Sequence, residues 1–407
     1  MIETFLKELS LICRIKGGIE MKKVFLTAFL TSLIFIGFGI VQDSSNLFGV
    51  DLYKVLSEKP GNIFFSPFSI SSALAMTYIG ADSDTAQQMK NVLHFDLDDE
   101  TLLSNFSQLT TSLNQSNENY QLSVANSMWL QEGYPFLKEF VEQIQKYYQS
   151  WINYVDFANH KDEAREKINE WIEAKTNNKI RDLIKPDDID SLTRLVLTNA
   201  IYFKGLWLNP FDPSSTRKEL FHISKNEEKE VDMMFKNITA NYTEDSLVQV
   251  LELPYAKNKI SMIIVLPKED KDLSQIEKNI SLDLFKKWRS NLKPTEVNVH
   301  IPKFKTECRF NLKRTLMSMG IVDAFTDEAD FSKMDGTKML KIKDVIHQSF
   351  IEVYEEGTQA AAATATIVNI KMAPKKPVEF RADRPFIFFI YDSTYDLILF
   401  MGRLINP

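Results

Sequence analysis

The chain has 407 residues, of which 44% are hydrophobic and 25% charged, an ordinary balance for a soluble globular protein. Its formal net charge of −7 argues against a general nucleic-acid binder, whose electrostatic footprint is basic. With only two cysteines, Cys13 and Cys308, no disulfide framework can hold the fold, so stability must come from burial.

Residues 1–20 read as an upstream extension. Met21-Lys22-Lys23 and the apolar run Val24 to Ile36 then have the charged and hydrophobic parts of a secretory signal over residues 21–39, with Gly37 and Gly39 as small residues for cleavage. The alternative is a membrane anchor, since Val24 to Val41 is 18 residues without a charge. Residues 40–407 show no linker and are expected to form a single domain. Removal of the leader would take Cys13 with it and leave Cys308 as a lone, buried structural thiol.

Apolar spacing or helix-forming composition predicts helices over Ser69–Ile79, Asp84–Leu93, Phe136–Tyr148, Lys161–Thr176 and Leu312–Met319. Strands are expected at Val196–Phe203, Val248–Leu253, Ile260–Leu266 and Val297–Ile301, with a hairpin turn at Ala256–Lys259. The mixed charges of Lys225–Glu230 read as solvated surface. Five sequons, at Asn105, Asn114, Asn237, Asn241 and Asn279, are glycosylation candidates for a secreted product. Near the C-terminus, Phe380–Ile390 and Leu397–Gly402 read as one buried β-hairpin around the polar turn Asp392–Tyr395.

Between these strands lies a segment whose local signals disagree. In Glu355-Glu356-Gly357-Thr358-Gln359-Ala360-Ala361-Ala362-Ala363-Thr364, the alanines favour helix while Gly357 and the following Thr-Ala-Thr-Ile-Val series favour turn and strand. Such inconsistency tends to mark function, the alternative being a solvated alanine helix. The Lys371-Met372-Ala373-Pro374-Lys375-Lys376-Pro377 stretch beyond it suits an exposed loop.

No catalytic constellation competes for attention. The histidines His94, His160, His222, His300 and His347 are scattered, no metal motif is present, and Ser66-Pro67-Phe68-Ser69 lacks the glycines of a nucleophile elbow. The expectation is therefore no enzyme, no metal and no cofactor.

The segment 355–364, the block Phe380–Ile390, Asn62–Ile70, Leu197–Gly205 with Trp207, and Val345–Phe350 together resemble the serpin family, in order and spacing, over about Ser44 to Pro407. That resemblance implies an α+β fold with three β-sheets, about nine helices and an exposed reactive-centre loop at about residues 355–378. It further implies an inhibitory, secreted, monomeric protein that presents a bond to a trypsin-like serine protease and traps it in a covalent complex. Glu355, Gly357, Thr358, Ala360, Ala361, Ala362, Ala363 and Thr364 correspond to the loop hinge. Small residues there suit entry into a sheet, because no charge has to be desolvated.

The family's spacing from Thr358 places the scissile bond at Lys371-Met372. A shift of one residue selects Met372 and a chymotrypsin- or elastase-like target. Ser66, Ser69, Asn199 and His347 match the polar shutter, and Trp207 the breach, although His347 and Trp207 also read as ordinary core residues. A non-inhibitory carrier or chaperone is the rival class. A glycosaminoglycan partner is not expected, because no Lys or Arg occurs from Asn91 to Leu137.

Overall fold

The structure is a computed structural model and describes residues 39–114, 120–148, 152–257, 259–357 and 376–407. In chain order it contains helix α1 (39–57), β1 (Ile63–Phe65), α2 (Pro67–Tyr78), α3 (Ser83–Leu93), α4 (Asp99–Leu113), β2 (Tyr120–Gln131), α5 (Lys138–Tyr148), β3 (Ile152–Val155), α6 (Lys161–Lys175) and β4 (Leu195–Gly205). Then follow β5 (Arg217–Ser224), β6 (Glu227–Glu244), β7 (Val248–Pro254), β8 (Ile260–Pro267), α7 (Leu273–Asn279), α8 (Leu282–Asn291), β9 (Lys293–Pro302) and β10 (Phe304–Asn311). The last elements are α9 (Lys313–Met319), α10 (Ser332–Asp335), β11 (Val345–Val353), β12 (Val378–Arg381), β13 (Phe386–Asp392) and β14 (Leu397–Leu404).

The helix starts follow local chemistry. Ser66 caps α2, its side chain accepting from Ser69 N–H, and Pro67 fills the first helical position, where its missing N–H costs nothing. Asp98 caps α4 in the same way through Thr101 N–H.

A five-stranded sheet runs β10-β11-β4-β2-β3, and a nine-stranded one runs β1-β14-β13-β8-β7-β6-β9-β12, with β5 on β6. The three sheets expected from the resemblance thus form two hydrogen-bonded networks among the described residues. The cause is β6, whose 18 residues pair with β5 and β9 along most of their length and with β7 at the far end, joining two sheet portions into one.

The main core lies between the sheets, where β8, β13 and β14 are buried along their whole length. Strands covered on both faces lose the alternation of apolar and polar residues, which is why these runs are almost continuously apolar. The expected hairpin is present as β13 and β14, but the run Phe380–Ile390 is split. Ala382–Pro385 interrupts it, and Val378–Arg381 pairs in parallel with β9 instead, Phe380 opposite Val299. Pro385 has no N–H to continue a ladder.

One further expectation needs revision. Asn105 is 5% exposed within α4, which leaves no room for a glycan, whereas Asn114, Asn237, Asn241 and Asn279 are exposed. Among the described residues no helix is long and apolar enough to cross a membrane, and the leader itself lies outside them. Cys308 is buried on β10, its thiol against the Asn62 carbonyl at 3.6 Å and pushed up to about 11 by burial.

Candidate functional site

Strands β4 and β11 run parallel and side by side at the centre of the five-stranded sheet, in register from Leu197 opposite Val345 to Tyr202 opposite Phe350. Among the described residues that ladder ends at Phe350, although β11 continues to Val353 and remains paired with β10. The two strands form a seam held by this backbone ladder, by side chains at one level and by a turn at its end.

At the level of Asn199 and His347 the seam is polar although fully buried. His347 Nδ1 bonds Asn199 Oδ1, and its Nε2 accepts Ser66 N–H at 3.3 Å. An amide oxygen only accepts, so the proton sits on Nδ1 and the ring is neutral. Burial pushes His347 down to about 3, with a hydrogen bond to Asn199 pulling the other way. Asn199 Nδ2 donates to Ser69 Oγ at 2.8 Å and to Asn126 Oδ1 at 2.6 Å, while Ser69 Oγ donates to Asn126 Oδ1 at 2.9 Å. Ser349 Oγ closes the set on the Phe64 carbonyl at 2.5 Å.

The structure thus brings Ser66, Ser69, Asn199 and His347 together and adds Asn126 and Ser349. Asn126 had no sequence signal of its own: it stands beside Ser127 in the Val124–Leu130 run, on a strand that the pattern did not predict. Of these side-chain bonds only His347–Asn199 crosses from β11 to β4, and the others involve α2, β1 and β2, a directional arrangement unlike an interlocked apolar layer.

At the end of the seam the chain turns sharply. Gly357 N–H donates to the Tyr354 carbonyl at 3.0 Å, and Trp207 N–H donates to the Glu356 carbonyl at 3.2 Å. Gly357 has φ +88°, and a Cβ there would lie 2.3 Å from the Gly205 carbonyl oxygen and 2.4 Å from Trp207 N. Both the backbone angle and the space demand glycine.

Glu355 is 7% exposed; its carboxylate accepts from Thr216 Oγ1 at 2.8 Å and pairs with Lys303 Nζ at 3.1 Å. Burial raises its pKa, but those partners outweigh it, and the carboxyl is held below its ordinary value. Trp207 stacks on Tyr255 at 4.4 Å, and its indole N–H donates to the Tyr354 carbonyl at 2.9 Å. It is both a core aromatic and a strut for the turn. Lys303 and Thr216 had no sequence signal, since their roles depend on strands far apart in the chain meeting Glu355.

Thr358, Ala360, Ala361, Ala362, Ala363, Thr364, Lys371 and Met372 lie outside the described residues. On the far side the chain resumes at the exposed Lys376 and enters β12 at the edge of the larger sheet.

A family model described as Serpin (serine protease inhibitor) matches residues 43–407. The chain is 40% identical over 387 residues to human Serpin B3, covering 90% of this chain and 99% of that one. It is 41% identical over 370 residues to the leukocyte elastase inhibitor of Xenopus tropicalis, covering 88% and 97%. The crystal structure of uncleaved ovalbumin superposes with a TM-score of 0.82 at 32% identity, covering 90% of this chain and all of that one.

Proposed function

The chain belongs to the serpin family of serine protease inhibitors, and from that premise we propose that it is a suicide substrate for a trypsin-like serine endopeptidase, cleaved at Lys371-Met372. The protease serine Oγ attacks the Lys371 carbonyl carbon, the Lys371–Met372 C–N bond breaks, and the Met372 amine leaves with a proton. Lys371 remains as an ester on the protease. The freed loop then enters the seam, antiparallel to both neighbours, and draws the protease along before water can hydrolyse the ester.

The observation that carries this reading is the parallel β4–β11 pair with the loop's turn directly at its end. A guest strand there meets ladder partners on both sides. From Gly357 to Lys371 an extended chain spans roughly 50 Å, against roughly 36 Å for the 11 residues of β4. The loop is therefore long enough to carry its cleaved end past the sheet. Lys371 supplies the cation that an anionic primary pocket takes.

Four exposed sequons and the leader composition support secretion, with residues 40–407 as the working domain. Incubation with substoichiometric trypsin, followed by denaturing gel and intact mass, tests the reading. The expected result is an SDS-stable adduct with release of a peptide beginning at Met372. Cleavage at that bond with full recovery of trypsin activity would refute it.

A second reading, cleavage after Met372 by a chymotrypsin- or elastase-like enzyme, draws on the 41% identity to the Xenopus leukocyte elastase inhibitor. It predicts an adduct with elastase and a released peptide beginning at Ala373.

A further inference from the structure

The far anchor of the loop, β12, carries a device that the proposed inhibition does not use. The strand has four residues, pairs only with β9 among the described residues, and ends the larger sheet. Its two outward side chains belong to cross-strand rows. Phe235 of β6, His300 of β9 and Arg381 of β12 form one, and Asn237, Asn298 and Glu379 form the other.

In the second row Asn237 Nδ2 donates to Asn298 Oδ1 at 2.8 Å and Asn298 Nδ2 donates to Glu379 Oε1 at 2.5 Å. In the first, Arg381 Nη1 lies 3.1 Å from His300 Nδ1. A guanidinium only donates, so His300 Nδ1 must be an unprotonated acceptor. We propose that His300 is an acid-sensitive latch: while neutral it accepts Arg381 and holds β12 on β9, and on taking a proton at Nδ1 it loses that bond, sets two cations in contact and loosens the loop's far anchor.

Every charged group around the ring enters this balance. On β12, Glu379 Oε2 lies 3.7 Å from His300 Nε2 and favours the charged ring. On β5, Glu219 pairs with Arg381, and Asp383 lies 3.3 Å from Arg381 Nε, but Asp383 is shared with Arg384 at 2.8 Å. From β6 the neighbour is the Phe235 ring at 4.8 Å, which offers no charge.

Burial first, and Arg381 second, bring His300 below the ordinary imidazole value against the pull of those carboxylates. The sign follows. With β12 seated the ring resists the proton, and with β12 detached it titrates normally, so acid favours detachment from about pH 6.5 downward until the seated ring itself titrates. One proton allows at most about a tenfold rise in the opening equilibrium per pH unit.

The inference is independent of whether the protein traps a protease, and its test requires none. Amide hydrogen exchange of the intact protein, corrected for the intrinsic pH dependence, is followed at Val378–Ala382 and at β13 as an internal reference. Protection at β12 should fall severalfold between pH 7.5 and 5.5 while β13 stays constant. His300→Gln keeps an acceptor that cannot take a proton, and should flatten the response. Equal loss in the variant, or no loss in the native chain, would overturn the latch. If the variant misfolds, an NMR titration of the native His300 imidazole decides: it should titrate below the ordinary imidazole value of about 6.5, and titration at or above that value would refute the idea.

Discussion

The β13–β14 hairpin and the β4–β11 seam are both buried, yet they are built on opposite rules. In the hairpin, rings meet rings: Phe388 packs on Phe64 at 5.7 Å, Phe304 at 5.5 Å and Phe386 at 6.1 Å, and Gly402 is bare because a Cβ would lie 2.3 Å from the Phe388 ring. In the seam, amides, hydroxyls and one imidazole from β4, β11, β2 and α2 meet beside the backbone ladder. Apolar interlocking resists separation over its whole area, whereas a polar network yields once a few partners are replaced. The contrast teaches what each region depends on: the hairpin holds the C-terminus by packing over a large area, whereas the seam rests on its ladder and a few directional side-chain bonds.

The comparison breaks if the two regions respond alike. Phe388→Ala leaves a large cavity and should cost about 3–5 kcal/mol in chemical denaturation, with the ratio of trapped to merely cleaved product unchanged. Acid should act on the seam. Because burial holds His347 at about 3 against an unfolded value near 6.5, its neutral form stabilises the fold above that unfolded value. That stability is lost as pH falls from there, at about 1.4 kcal/mol per pH unit. Denaturation midpoints followed from neutral pH to about pH 4.5 should show a drop of about 2–3 kcal/mol, absent in His347→Gln.

The smallest effect belongs to the turn. Glu355→Gln keeps the Thr216 contact but loses the charge opposite Lys303, and should cost about 0.5–1.5 kcal/mol. Faster amide exchange at Gly357 and Trp207, with β13 unaffected, would place that loss at the turn.

What was legible in the sequence follows the same divide. Regions governed by one local rule were readable: α3 and α6 came within a residue of their observed ends, and β7 and β8 with their connecting turn were anticipated. The seam residues Ser66, Ser69, Asn199 and His347 were readable through family resemblance, not periodicity.

Other elements were missed where a residue's role comes from a distant partner. The 18-residue β6 has an irregular burial pattern because its neighbours change along its length, so no single period marks it. Helix α4 mixes Ser, Asn and Thr with its leucines, which weakens the stripe although seven of its positions are buried. The division of Phe380–Ile390 between two partners was hidden because both halves are apolar, and only Asp383-Arg384-Pro385 hints at the break.

The edges of the larger sheet bear on how the molecule behaves in a crowded solution. Its path ends on β1, with three residues, and on β12, with four, the latter carrying Glu379 and Arg381. Short, charged edges give another chain little template to zip onto. Other rims, β5 and β10, are eight residues long, and a further pairing capacity is latent between β4 and β11, which satisfy each other while the seam is closed. Self-association at high concentration should therefore depend on how often that interior slot opens as well as on the rim.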